Sequence, residues 1–157
     1  MIRSLAIACA AGLAAFASAF AEDYGDWTYE AVQNPLTDEW TFTARTENSN
    51  SGFFAIKCDS IGLTVTVRTD AEDMDFRNTR RVSYGFDRSL TYVSTWSNVD
   101  ADKGGGAAVE GKEARRIAKL AARGRKFLYR TEADTVTFSL KGSSKAISRV
   151  GDKCKYL

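Results

Sequence analysis

Phe53-Phe54-Ala55-Ile56-Lys57-Cys58, followed by Leu63-Thr64-Val65-Thr66-Val67, decides the fold class. In the first stretch Phe54, Ile56 and Cys58 fall on one side of an extended chain, and in the second Leu63, Val65 and Val67 do. Apolar residues at every second position mark a strand with one buried face. Working outward, the same period recurs in Trp27-Thr28-Tyr29-Glu30, in Trp40, Phe42 and Ala44, in Val82, Tyr84 and Phe86, from Leu90 to Val99, and in Val136, Phe138 and Leu140. Asn48-Ser49-Asn50-Ser51-Gly52, Asp87-Arg88 and Ala133-Asp134 supply turn chemistry between them. Roughly seven or eight short strands connected in this way predict a mainly β domain, an antiparallel sandwich or barrel-like sheet.

One stretch breaks the period. Residues 109–124 are rich in Ala, Lys, Arg, Glu and Leu, with Ile117, Leu120, Ala121 and Gly124 at helical spacing, and predict one clear α-helix stopped by Gly124. Gly104-Gly105-Gly106 before it reads as a flexible loop, and Phe127-Leu128-Tyr129 after it as a new strand. A short C-terminal helix is expected at Ser143 to Val150, capped by Ser143 or Ser144, with Ala146, Ile147 and Val150 turned inward.

The N-terminus has the order of a secretory signal. Arg3 precedes an apolar run from Leu5 to Phe16, and Ala19-Phe20-Ala21 forms an A-x-A cleavage pattern ahead of Glu22-Asp23. Residues 1–21 are therefore expected to be a signal peptide, and 22–157 a single β-rich domain in the periplasm or secreted. The apolar run is short for a bilayer span and no second candidate follows, so no transmembrane segment is expected after cleavage. Cys9, in Ala6-Ile7-Ala8-Cys9, fits a lipid-attachment box poorly and would leave with the signal. Two cysteines then remain, Cys58 and Cys154; in an oxidising compartment they read as a disulfide, the alternatives being two buried free thiols or a metal pair, which the lack of histidine and of a second cysteine pair argues against.

The chain has 157 residues, 44% hydrophobic and 27% charged, which suits one domain and excludes a long multidomain enzyme. It contains no histidine, which excludes Ser-His-Asp, Cys-His and His-ligated metal chemistry. Gly106 to Lys112 matches G-x-x-x-x-G-K, but Glu113 stands where a phosphate-binding loop needs Ser or Thr, so the match reads as a turn into a helix. Asp70, Glu72, Asp73 and Asp75 form a solvated acidic loop by composition, with a calcium site as the alternative; Asp75 and Arg81 occupy the places where an EF-hand needs Gly and Glu. Trp27, Trp40, Phe42, Phe54, Tyr84 and Phe86 read as core aromatics, a stacking face for carbohydrate or peptide being the alternative. No cofactor and no nucleic acid are expected.

Charge is the most distinctive feature. Residues 22–76 carry 12 acidic and 3 basic side chains, whereas residues 77–157 carry 8 acidic and 18 basic. Arg115, Arg116, Lys119 and Arg123, continued by Arg125 and Lys126, would share the solvent side of the helix if its apolar stripe docks on a sheet. Two readings follow: neutralisation by the acidic half, or a face for an anionic envelope component or acidic protein.

Several pieces taken in order carry a resemblance: Ala55-Ile56-Lys57-Cys58, Leu63-Thr64-Val65-Thr66-Val67, Val82-Ser83-Tyr84-Gly85-Phe86-Asp87, Trp96-Ser97, Phe127-Leu128, Thr137-Phe138-Ser139-Leu140-Lys141-Gly142, and Ala146-Ile147 through to Cys154. Residues 53–157 in this order resemble the small exported accessory proteins of type VI secretion called the VasI group. The resemblance implies a β-rich module with a Cys58–Cys154 bridge and no catalytic residues. Gly85 stands where that group carries Arg before an apolar-Asp pair, so any role of that arginine does not transfer. The expected function is that of an exported, non-catalytic binding or accessory protein of the bacterial envelope. The alternatives are an inhibitor of a cell-wall hydrolase and a hydrolase using an unrecognised carboxylate pair. N-terminal sequencing of the exported protein is expected to begin at Glu22; a start at Met1 would remove both the export reading and the oxidising environment assumed for the cysteines.

Overall fold

The alternating stretches need partners on both edges, because each extended backbone carries unpaired N–H and C=O groups. The computed structural model describes residues 19–49, 52–69, 78–99 and 106–157, and supplies those partners within one antiparallel sheet. Its strands are β1 (Ala19–Tyr24), β2 (Trp27–Gln33), β3 (Trp40–Glu47), β4 (Phe53–Cys58), β5 (Leu63–Arg68), β6 (Thr79–Phe86), β7 (Ser89–Val99), β8 (Gly106–Glu110), β9 (Lys126–Arg130) and β10 (Thr135–Ser139). The helices are α1 (Gly111–Ala121) and α2 (Ser143–Gly151). Strands run in the spatial order β1-β2-β3-β4-β5-β8-β7-β6-β9-β10, so β1 to β5 form a meander and β8 joins it to the second half.

A twisted sheet of this width curls on itself. The Phe54 ring of β4 stacks on Phe127 of β9 with centroids 4.3 Å apart and meets Phe138 of β10 at 6.0 Å. Across the same seam the Trp27 indole donates to the Ser139 carbonyl at 2.9 Å, and the Asp26 amide to Lys141 O at 3.0 Å. Each such hydrogen bond contributes on the order of 1 kcal/mol net. Truncating a fully buried Phe costs about 3–5 kcal/mol, so the aromatic stack holds the halves together and the hydrogen bonds set their register. The result is a mainly β, barrel-like sandwich, the fold class expected from the alternation.

The helices cover the curled sheet. α1 packs on β5 and β8, α2 on β2 and β3, and the two touch. Ala114, Ile117, Ala118 and Ala121 of α1 and Ala146, Ile147 and Val150 of α2 are buried in the common core.

Two strands were not legible as strands. β8 pairs with both β5 and β7, placing Val109 opposite Val65 and Ala108 opposite Ser97. Its small residues are a packing requirement, since a Cβ on Gly106 would lie 3.1 Å from Val99 Cγ2. Val109 and Glu110 therefore belong to β8, and the helix starts at Gly111, whose φ of +66° turns the chain. Because Gly106 to Glu110 is an antiparallel strand, the G-x-x-x-x-G-K match forms no phosphate loop. β1 includes Ala19 to Ala21, the end of the expected signal; residues 1–18 lie outside the described residues.

The C-terminal helix forms where expected but is entered differently. Its N-cap is Gly142 at φ +94°, not a serine, and a Cβ there would fall 1.6 Å from Tyr24 O. Ser143 is buried instead, its single hydroxyl hydrogen shared between the carbonyls of Ala121 and Leu140, which lie 2.8 and 2.7 Å from Oγ. Beyond α2 the chain returns to β4, bringing Cys58 and Cys154 to a Cα separation of 6.0 Å, within the usual range for a disulfide. Non-reducing mass analysis is expected to find Cys58 and Cys154 bonded to each other, with neither thiol free. Cys154→Ser should lower the unfolding free energy by about 2–5 kcal/mol in a denaturant titration, because a loop closed across most of the domain would be released.

Candidate binding surfaces

The cations singled out in the sequence separate into three groups. Lys112, Arg115, Arg116 and Lys119 of α1, and Arg123 in the turn just after it, lie on the side away from Ala114, Ile117, Ala118 and Ala121, and all five are exposed. Arg115 is tied to the tail, its Nε donating to Tyr156 O at 2.6 Å. Arg116 is tied to the sheet: one Nη donates to both Glu113 carboxylate oxygens at 2.6 Å and to the Tyr84 hydroxyl at 2.9 Å, with the guanidinium 4.4 Å from the Tyr92 ring centroid. No carboxylate among the described residues is in ion-pair distance of Lys119 or Arg123. These two, with Lys112 on the same stripe, form the open basic surface of α1.

Tyr84 is buried under this network and donates its hydroxyl to Glu113. Burial first, and then the Glu113 hydrogen bond, push its phenol well above the ordinary tyrosine value, because both disfavour the phenolate.

Arg125 and Lys126 form the second group. With Arg88 they surround a cleft of about 590 Å³ whose floor is Phe86 and Asp87. Asp87 sits at φ +62° and accepts the amides of Arg125 and Lys126 at 2.7 and 3.2 Å, bonds that hold its carboxyl below the usual range. Arg88 was not among the expected cations; its place at the tip of the β6–β7 hairpin, opposite the α1–β9 turn, is set by pairing far apart in sequence.

Neutralisation between the acidic and basic halves is local. Arg149 of α2 pairs with Glu22 of β1 at 3.3 Å, whereas Arg45 pairs with Glu30 and Lys57 with Asp59 within the acidic half. The acidic cluster Asp70, Glu72, Asp73 and Asp75 lies outside the described residues. Among the described residues, no three acidic, cysteine or histidine side chains are placed to hold a metal ion.

The aromatics divide as well. Trp27, Phe54 and Tyr84 are buried, but Trp40 is 39% exposed and stacks on half-buried Phe42 with centroids 6.1 Å apart. Leu36, 91% exposed in the β2–β3 turn, and Ile61 in the β4–β5 turn project from the same end of the sheet, since Phe42 at the start of β3 pairs with Cys58 at the end of β4. Two carboxylates, Asp26 and Glu47, line a cleft of about 380 Å³, but Asp26 accepts the Ser139 hydroxyl at 2.6 Å and Glu47 faces Arg45 at 4.0 Å.

No family model matches the chain, and no curated protein sequence does. Among solved structures its fold is similar to that of invasion associated protein B from Bartonella henselae. The TM-score is 0.57 at 12% identity, over 85% of this chain and 96% of that one. The likeness is one of fold. Among the described residues, no helix is long and apolar enough to cross a membrane.

The Tyr84 network makes a prediction with a definite sign. A phenol whose folded pKa is raised contributes stability that is complete below the unfolded value near pH 10 and falls as pH rises above it. Thermal unfolding should therefore lose midpoint temperature above about pH 10, and Tyr84→Phe should make that loss shallower. At neutral pH Arg116→Glu should lower the melting temperature, whereas Lys119→Glu should leave it within experimental error.

Proposed function

We propose that this chain is an exported, non-catalytic binding protein of the bacterial envelope that engages an anionic component through the open basic side of α1. The observation that carries the reading is Lys112 and Lys119 on one stripe of α1, continued by Arg123 in the turn after it, all exposed, with no carboxylate among the described residues paired to Lys119 or Arg123. A stripe held rigid by buried alanines and Ile117 costs little ordering on binding and presents a field that steers acidic ligands. An accessory role in secretion, as the VasI-type resemblance implies, is one form of this proposal. Export with cleavage after Ala21 is part of it, and a Cys58–Cys154 bridge suits that compartment.

Inhibition of a cell-wall hydrolase is the second reading, and one feature favours it. An inhibitor needs a projecting loop to enter an enzyme cleft, and the β2–β3 turn supplies one: Leu36 at its tip is almost fully exposed, while the Asn34 side chain accepts the Leu36 amide at 2.9 Å.

The doubly reversed variant Lys119→Glu/Arg123→Glu separates the two. On the first reading its affinity for isolated envelope fraction drops about tenfold with the melting temperature unchanged, since each reversed surface pair changes binding by up to about 1 kcal/mol. Wild-type affinity should also fall as salt rises. Salt-independent binding that survives the reversal but is lost in Leu36→Asp would favour the inhibitor.

A further inference from the structure

The sheet edge at β1 carries a feature that the basic helix does not explain. Phe20, half exposed, sits opposite Ala31 in the β1–β2 register, flanked by the Ala19–Val32 and Ala21–Glu30 pairs. With Tyr29, Ala31, Trp40 and Phe42 it lines a groove of about 490 Å³ between the sheet and α2, rimmed by Arg149 and Lys153. The aromatic wall is ordered: the Trp40 and Phe42 rings lie 4° from parallel, and the Arg149 guanidinium stands 5.4 Å over Tyr29. Arg149 Nε is buried without a hydrogen bond, although Glu22 lies 3.3 Å away.

We infer that the mature protein binds an extended segment of a partner protein here, added as a strand to β2 with an aromatic or large apolar residue seated opposite Ala31. The inference rests on the proposed cleavage after Ala21. That cut removes Ala19, Phe20 and Ala21 and leaves β1 as Glu22 to Tyr24. The outer backbone edge of β2 at Glu30 to Val32 then loses its pairing groups, and the groove loses one of its aromatic walls, which leaves the place opposite Ala31 vacant. An unpaired edge beside a pocket for alternate side chains is the arrangement of strand addition. The segment that leaves shows what the place accepts: an extended backbone antiparallel to β2, with small residues flanking one aromatic. Lys153, exposed on the rim, favours a carboxylate at the end of the incoming segment.

The test uses the protein exported from cells, its N-terminus established by mass, and a synthetic peptide of residues 15–21 with a free C-terminal carboxylate. On titration the amide resonances of Ala31 and Val32 and the indole resonance of Trp40 are expected to move, while those of buried Trp27 and Trp96 stay in place. The Phe20→Ser peptide is expected to bind at least about tenfold more weakly, as is the Trp40→Ala protein, because a seated aromatic carries much of such an interface. Lys153→Glu, a change on the surface, should weaken binding as well and gives a second measure if Trp40→Ala disturbs folding. An exported protein starting at Glu22 that shows no shifts, shifts elsewhere, or equal affinity for the Phe20→Ser peptide would overturn the inference and leave the export reading standing. A concentration-dependent dimer that the peptide does not dissociate would assign the edge to a second copy and overturn it too. An exported protein that retains Phe20 would overturn the cleavage reading, and this inference with it, because its own β1 then keeps the edge of β2 paired.

Discussion

The contact between Phe54 and Phe127 is the constraint on which the rest of the architecture hangs. It joins the fourth strand to the ninth, and with it the meander to the second half of the sheet. Once the sheet has curled far enough for these rings to stack, the β1–β2 turn is driven against the segment after β10. There is no room at that seam for a side chain: Gly25 and Gly142, both at positive φ, let Tyr24 and Lys141 backbones pass at close range. Closure also defines the site that the two helices occupy, so that alanine and isoleucine faces of α1 and valine of α2 complete a core that the sheet alone leaves open.

Closure has an electrostatic consequence. The acidic and basic halves of the chain lie side by side in one sheet, β1 to β5 next to β8-β7-β6-β9-β10, yet the charges do not simply pair off. Glu22–Arg149 joins the halves, while Glu30, Asp59 and Glu113 find cations within their own half of the chain. Two of the helix cations are spent on internal order: Arg115 on the tail carbonyl of Tyr156, and Arg116 on a buried phenol and its carboxylate partner. What is left over is a narrow stripe and a separate cleft at Asp87, a more selective surface than a uniformly basic helix would present.

The binding surfaces share a physical logic. The α1 stripe is polar, exposed and rigidly backed, suited to fast, salt-sensitive encounter. With its β1 partner removed by the proposed cleavage, the β2 edge and its aromatic groove would offer directional backbone hydrogen bonds and apolar area to hold a partner once met. Leu36, Trp40 and Ile61 extend that apolar character along the end of the sheet where the β2–β3 and β4–β5 turns lie.

Strands such as Phe54-Ile56-Cys58 and Leu63-Val65-Val67 were legible because a two-residue period reports one buried face without knowledge of the neighbour. The α1 stripe was legible for the same reason at helical period. Both are local: they depend on the direction in which successive side chains leave one backbone. β8 was not, because Gly106, Ala107 and Ala108 are chosen by the crowding of Val99 and Val67 in adjacent strands, and small residues carry no strand preference of their own. The glycine cap of α2, the burial of Ser143, the division of the cations and the groove beside Trp40 likewise follow from surfaces that meet across the fold. Sequence by itself determined which residues face inward and the class of structure that results, since periodicity is written along the chain. Only tertiary structure decided which cations stay free and where the aromatic groove lies, because those depend on distances between residues that the chain keeps far apart.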